Sequence, residues 1–364
     1  MKAYIHTYPT RIFHLLLVVY VLVIYLISDE NNLLPLHVSI GYGILVLTIF
    51  RIYFGFFGPK YSKFKDWSLS IKESFEFMLN FSNTKVYISH NPLASFVILA
   101  IIINLFLVVV SGITVYGIQE GRGVLSFLND TMFKEMKFFK DIHELLSNLL
   151  LGLIFIHISG VFVDRLLHKE NKTLISIFNG YKNVNAKSAI LNNTQKFISI
   201  FLLCLAIIIP ISTYNINTIL TSSKYEPINY EKESDIFVEE CASCHILYPP
   251  HLLPQKAWNK MMDNLEEHFG DDASVDDSSN KIIRKYLLNN SSETSNKQAS
   301  VYIMKEYMNE IAISDTSYWK DIHKNINKKI FQSKKIRTKS NCKACHTNFE
   351  NGLIENEDIN IPKI

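Results

Sequence analysis

The stretch Ile142–Leu167, IHELLSNLLLGLIFIHISGVFVDRLL, decides how the chain is read. It is apolar and long enough to cross a bilayer, which takes about 20 helical residues for about 30 Å of hydrocarbon. Yet it holds two histidines, His143 and His157. They are fourteen residues apart, about 21 Å of rise and nearly four whole turns of helix, so they share a face. Ionisable side chains at membrane depth are rare and usually functional. Singly, each reads equally well as an interfacial or hydrogen-bonded histidine.

Four further stretches approach the length of a span: Ile12–Ile27, Val38–Phe57, Leu93–Ile118 and Phe197–Tyr214. Composition divides accordingly, with residues 1–214 rich in Leu, Ile, Val and Phe and residues 215–364 rich in Asn, Lys, Ser and Asp. A chain that is 48% hydrophobic is neither a wholly soluble globule nor a disordered protein. A net charge of +3 gives no support for nucleic-acid binding. The first stretch lacks a small-residue cleavage site and runs into Ser28-Asp29-Glu30, so it reads as an uncleaved span.

Cations cluster after the second stretch (Lys60, Lys63, Lys65, Lys72, Lys85) and after the fourth (Arg165, Lys169, Lys172, Lys182, Lys187, Lys196), whereas the loop after the first holds only Asp29 and Glu30. The positive-inside rule then predicts a cytoplasmic N-terminus, with everything after about residue 215 outside the bacterial inner membrane.

In that topology the four span histidines fall at two levels. His37 opens the second span and His143 the fourth, both at the outer side; His14 and His157 lie near the inner ends of spans one and four. Facing imidazoles on bundle helices are how a bundle holds a b-type haem. Gly41 and Gly43 offer room for a flat macrocycle near His37, and Arg51, at the inner level, is a candidate propionate partner or an interfacial anchor, as is Arg11. His6, His90 and His168 read as loop or tail residues, and Cys204 as a packing residue of the fifth span.

The order His14, His37, Arg51, the segment Phe57-Gly58-Pro59-Lys60-Tyr61-Ser62-Lys63-Phe64, His90-Asn91-Pro92, and Asp141-Ile142-His143 through His157 resembles the prokaryotic cytochrome b-561 family, which includes the b-type subunit of nickel–iron hydrogenases. The resemblance covers about residues 8–185. It implies an all-α transmembrane four-helix bundle with two non-covalent haems b exchanging electrons with membrane quinone or quinol, and the fifth span then reads as a tether.

The outer half carries Cys241-Ala242-Ser243-Cys244-His245 and Cys342-Lys343-Ala344-Cys345-His346. Two thiols at CxxCH spacing form thioethers to one haem's vinyl groups, and the next histidine becomes the proximal iron ligand. Two such motifs use four of the five cysteines. A zinc ribbon is the rival reading, but 97 residues between the pairs far exceed ribbon spacing. Disulfides within each pair are a second rival outside the cell. The remaining axial ligands are open among His251, His268, His323, Met261, Met262, Met304 and Met308. His268 ends a helical stretch starting near Gln255 whose apolar stripe includes both Met261 and Met262; His323 lies in a second stretch, Tyr318–Ile330; and His251, beside Pro249-Pro250, reads as a loop residue open to solvent.

The run Cys241–His245, Tyr248-Pro249-Pro250, Leu253-Pro254, Trp258, His268-Phe269-Gly270-Asp271-Asp272-Ala273, Tyr286-Leu287, Cys342–His346 and Ile361-Pro362 resembles the dihaem cytochrome c domain family over about residues 235–364. That resemblance implies a small, mainly helical domain with two covalent haems c. His268 matches the family motif and His323 matches in looser surroundings, so both are expected as distal ligands.

The expected organisation is therefore a membrane di-haem cytochrome b bundle (1–190), a fifth transmembrane span (191–222) and a dihaem cytochrome c domain (223–364), with Thr221–Ser234 as a polar linker and Gly121-Arg122-Gly123 as a turn. The expected function is electron transfer between the quinone pool and a soluble periplasmic redox protein. An anchor subunit carrying electrons from a periplasmic oxidoreductase such as a hydrogenase to quinone is the alternative. A haem-based sensor or an enzyme with an open haem c site is the third reading; sensing is disfavoured because no kinase or response domain is present.

Overall fold

The computed structural model describes residues 2–79, 87–135, 137–167, 172–304 and 311–362. Lys85, His168, Lys169 and Met308 lie outside them. Regular structure is almost wholly helical; among the described residues the strands are the antiparallel pair β1 (Ala3–Tyr4) and β2 (Tyr181–Lys182), with Ala3 opposite Lys182. Five helices are long and apolar enough to cross a membrane: α1 (Tyr8–Ile27), α2 (Leu34–Phe57), α3 (Pro92–Glu120), α4 (Phe138–Leu167) and α5 (Asn193–Asn215).

All but α3 begin four residues before the apolar run from which they were read. Their first turns are polar or proline-bearing, which hydropathy alone passes over. Pro9 and Pro35 occupy first turns, where a missing N–H leaves nothing unsatisfied. Asn192 and Gln195 close a reciprocal capping box at the start of α5, each side chain accepting a bond from the other's backbone N–H.

The chain divides into two compact units: residues 1–115 with 137–218, and residues 116–136 with 219–364. In the first, α2 is the central element. Phe13 of α1, Leu47, Phe50 and Phe54 of α2, and Leu203 and Ala206 of α5 form one buried cluster. On its other side Ile40 and Ile44 meet Leu105 and Val109 of α3 and Leu150 of α4. Outward side chains such as Leu15, Leu22, Phe155 and Phe162 are exposed, as helices surrounded by lipid require.

The fifth span is more than a connection. Tyr20 donates from its hydroxyl to the Ala206 carbonyl at 2.8 Å, and Gln195 Nε2 donates to the Phe57 carbonyl at 2.8 Å. Gly43 is where α5 presses on α2: a Cβ there would lie 2.6 Å from Pro210 and 2.7 Å from Tyr20. Its smallness therefore serves helix packing and not a macrocycle, which corrects the expectation for Gly43; Gly41 has open space beside it. Cys204 is exposed, on the outward side of α5, and is not the packing residue expected.

The second unit collects α6 (Asp235–Cys241), α7 (Gln255–Met262), α8 (Asp277–Asn289), α9 (Gln298–Met304) and α10 (Ser317–Ile322). Phe237, Trp258, Ile283, Leu287, Ile303 and Phe349 are at its core. It also takes in residues 116–136. Gly121 and Gly123 have φ of +62° and +69°, left-handed values that only glycine adopts freely, and they form the expected turn. Arg122 between them donates from Nε to Glu355 at 2.7 Å, with both side chains nearly buried. Asn129 Oδ1 accepts from the Tyr225 hydroxyl at 2.7 Å, and Lys224 pairs with Asp130. The stretch read as a linker is thus held down over its first residues.

Gly43→Leu is expected to destabilise the first unit by about 1–3 kcal/mol through overpacking. Gly160, with nothing within 4 Å of its would-be Cβ, should tolerate the same change. Thermal unfolding of the two variants in detergent separates them.

Candidate functional site

The span histidines are half-buried on α1, α2 and α4. His37 and His143 face each other with ring centroids 6.3 Å apart and planes at 71°. His143 Nδ1 lies 3.1 Å from the Val108 carbonyl and 3.0 Å from Ser111 Oγ. A carbonyl only accepts, so the proton sits on Nδ1, leaving the Nε2 lone pair free. Gly112 makes this possible, since a Cβ there would lie 3.0 Å from His143 Cε1. His14, on α1, lies near enough to His157, on α4, for that ring's charge to be felt.

Beside the second level is a cationic cluster. Arg51 is buried, donates from Nη1 to the Ser62 carbonyl at 3.2 Å, and rests on the rings of Phe64 (5.3 Å) and Trp67 (4.7 Å). Among the described residues no carboxylate pairs with it. Lys182 Nζ, also buried, donates to the carbonyls of Tyr87 (3.0 Å) and Ser89 (3.1 Å). The rings of His6 and His90 lie 6.1 Å apart, and Trp67 packs edge-on against His90 at 5.0 Å. Burial pushes Lys182 down to about 8 and His6 down to about 4. His90 is driven well below the usual imidazole value by burial and then by its neighbours His6, Lys182 and Arg51. The β1–β2 pairing brings this cluster together, with the His6 N–H on the Gly180 carbonyl at 3.1 Å. His6 and His90 lie in the irregular stretches before α1 and α3, as read, and both are held within this cluster.

In the second unit His245 and His268 stack with centroids 6.0 Å apart at 20°, and His323 and His346 stand 6.2 Å apart at 68°. His245 Nδ1 donates to the Ile246 carbonyl at 2.7 Å and His323 Nδ1 to the Trp319 carbonyl at 2.8 Å. His268 Nδ1 and His346 Nδ1 are buried without a partner. Burial, and then the neighbouring His323, lower His346 to about 4; burial and then His245 lower His268. A lowered value favours the neutral ring, the form that binds a metal. Cys241 and Cys342 flank the domain core, and burial raises their thiols to about 11 and about 12.

Several local readings change. The helix from Gln255 stops at Met262; His268 follows in a tight turn where Phe269 and Gly270 have φ of +56° and +97°. The stretch 318–330 breaks after Ile322, placing His323 at the end of α10, and resumes as Lys328–Phe331. His251 is buried, 4% exposed, and not open to solvent. Met262 lies in the core and Met261 packs against it, as the apolar stripe implied. Residues not foreseen are Ser111 and Gly112, a small polar pair inside an apolar run, and Lys182.

The donor set fits haem. Two ring nitrogens each about 2 Å from one iron, with ring centres about 1.2 Å behind them, separate centroids by roughly 6.4 Å. The three measured separations of 6.0–6.3 Å match that span. Among the described residues no three His, Cys, Asp or Glu side chains come together as a metal-ion site.

Residues 5–180 match the family model of prokaryotic cytochrome b561, and residues 237–354 that of dihaem cytochrome c. No curated protein matches the chain. Among solved structures, the dihaem cytochrome c from Rhodobacter sphaeroides is 32% identical, covering 35% of this chain and 99% of that one with a TM-score of 0.31. A second structure of that protein is 33% identical over 33% and 96%, with a TM-score of 0.27. A dihaem cytochrome c from Shewanella baltica is 29% identical over 36% and 94%, with a TM-score of 0.30. Haem b is implied by the first family and two haems c by the second. The chain is a multi-pass membrane electron-transfer cytochrome whose N-terminal part matches the prokaryotic cytochrome b561 model and whose C-terminal part belongs to the dihaem cytochrome c family.

Proposed function

We propose that the chain carries electrons from membrane quinol to a soluble periplasmic acceptor, using two haems b in the bundle and two haems c in the outer unit. The observation that carries the reading is the set of three facing histidine pairs with ring separations of 6.0–6.3 Å. When bound, haem supplies a one-electron ferric/ferrous couple, and the protein supplies its position and surroundings.

His37 with His143 hold the outer haem b, and His14 with His157 the inner one. Arg51 and Lys182 would supply positive charge for the propionates of a haem at this level, which would offset the cost of burying these cations. Cys241 and Cys244 anchor one haem c, held by His245 and His268; Cys342 and Cys345 anchor the other, held by His346 and His323. Two histidines at each site would satisfy both axial positions of a haem, which suits electron relay rather than substrate binding. The cations after α2 and α4 support a cytoplasmic N-terminus in the inner membrane and an outward second unit.

His37→Ala and His143→Ala are expected to remove the same haem b, and His14→Ala and His157→Ala the other, with pyridine haemochrome counts falling by one in each case. Loss of different haems within a pair would overturn the assignment. Gly112→Val should mimic His143→Ala by displacing the ring, whereas Ser111→Ala should retain the haem with a shifted potential. Mixed rapidly with a quinol analogue, the protein should show its b bands reduced before its c bands; the opposite order would refute this direction of flow.

A further inference from the structure

Charge in the second unit is sharply segregated. Between residues 226 and 277, the segment carrying His245 and His268, there are thirteen Asp or Glu and three Lys. Between residues 320 and 343, the segment carrying His323, there are nine Lys or Arg and one acid, Asp321. All nine cations are exposed, and Asp321 is taken up by Lys324 at 2.9 Å.

These cations surround the second histidine pair. Lys320 and Lys324 flank His323 on and just beyond α10. Trp319 stacks on His323 at 4.3 Å, and Lys339 Nζ sits over that indole at 5.8 Å. Lys328 and Lys329 lie on the short helix whose Phe331 meets Trp319 at 5.7 Å and His323 at 6.3 Å. Lys343 is inside the second CxxCH motif, paired with Glu350. Amid them Ile322, next to His323, is 48% exposed, an apolar point within a charged rim, the ordinary anatomy of a protein interface.

We infer that the face around His323 and His346 docks an acidic soluble one-electron redox protein, and that electrons leave the chain there. This rests on the proposed outward flow. In the step, one electron passes from the ferrous iron held by His323 and His346, which becomes ferric, to the oxidised centre of the partner, which is reduced by one; no bond or proton changes hands. Surface charge of one sign raises the encounter rate of an oppositely charged partner and is screened by salt. Placing it around a ligand pair serves a partner that must approach the iron. A patch for anionic lipid would gain nothing from that position.

The test uses the full chain in neutral detergent, reduced with dithionite so that quinol oxidation is bypassed, and follows haem c oxidation by stopped flow. The probes are an acidic blue-copper protein and a basic monohaem cytochrome c. The acidic probe is expected to react faster at low salt and to slow by about tenfold or more between 20 and 200 mM salt, as screening of several charge pairs would give. The basic probe should not slow in this way. The variant Lys320→Glu/Lys324→Glu/Lys328→Glu should cut the acidic probe's rate about tenfold while leaving haem content and quinol reduction of the b bands unchanged. A salt-independent rate, or an undiminished rate in the variant, overturns the docking assignment. So does a variant whose only defect is lost binding to phosphatidylglycerol vesicles. Failure of quinol to reduce the c bands would instead overturn the direction of flow, and the dithionite experiment stays independent of it.

Discussion

A neutral imidazole has one nitrogen that donates and one that accepts, and a ring that is to bind a metal must keep the accepting one free. In each of the three close pairs one ring gives its Nδ1 proton to a backbone carbonyl, of Val108, Ile246 or Trp319. That single bond fixes the tautomer, orients the ring, and leaves the other nitrogen's lone pair directed away from the backbone. The same solution appears on a membrane helix, beside a CxxCH turn and at the end of a six-residue helix. Most other features of the two units serve to keep these rings where they are: Gly112 clears space for one, Trp319 stacks against another, and the Phe269–Gly270 turn follows directly on a third.

The two units achieve this with different means. The bundle relies on long helices whose cores need little polar bonding, so a few specific contacts suffice. Gly43 admits α5, Tyr20 ties α1 to α5, and Arg51 is held between aromatic rings. The second unit is built of short helices and turns, and depends on caps, Asx-type bonds and buried ion pairs such as Arg122 with Glu355. Removing one member of such a pair leaves an unpaired buried charge, costing about 3–5 kcal/mol.

Much of this was legible in the sequence for local reasons. A histidine within an apolar run stands out, and CxxCH is a contiguous motif whose spacing alone states its chemistry. The five spans needed only hydropathy. What escaped was set by contacts distant along the chain. The grouping of His6 and His90 with Lys182 was hidden because nothing nearby announces that β1 pairs with β2. Gly41 and Gly43 look alike on paper; only the seat of α5 tells them apart. His251 follows two prolines, a loop signal, yet the surrounding core closes over it. Helix starts were misjudged by one turn because polar N-terminal turns carry caps and prolines, which hydropathy does not register.

Residues 116–136 belong to the same compact body as residues 219–364, although some eighty residues and two spans lie between them in sequence. The translated chain exposes Arg122 long before Glu355 exists to meet it, so the second unit is completed only after α5 has been made. A fragment cut just after α5 would therefore be missing one wall: Glu355 and Tyr225 would face water where the native chain supplies the Arg122 guanidinium and the Asn129 amide. Grafting the 116–136 segment onto such a fragment, and not merely trimming its ends, is what a self-sufficient secreted version of this body calls for.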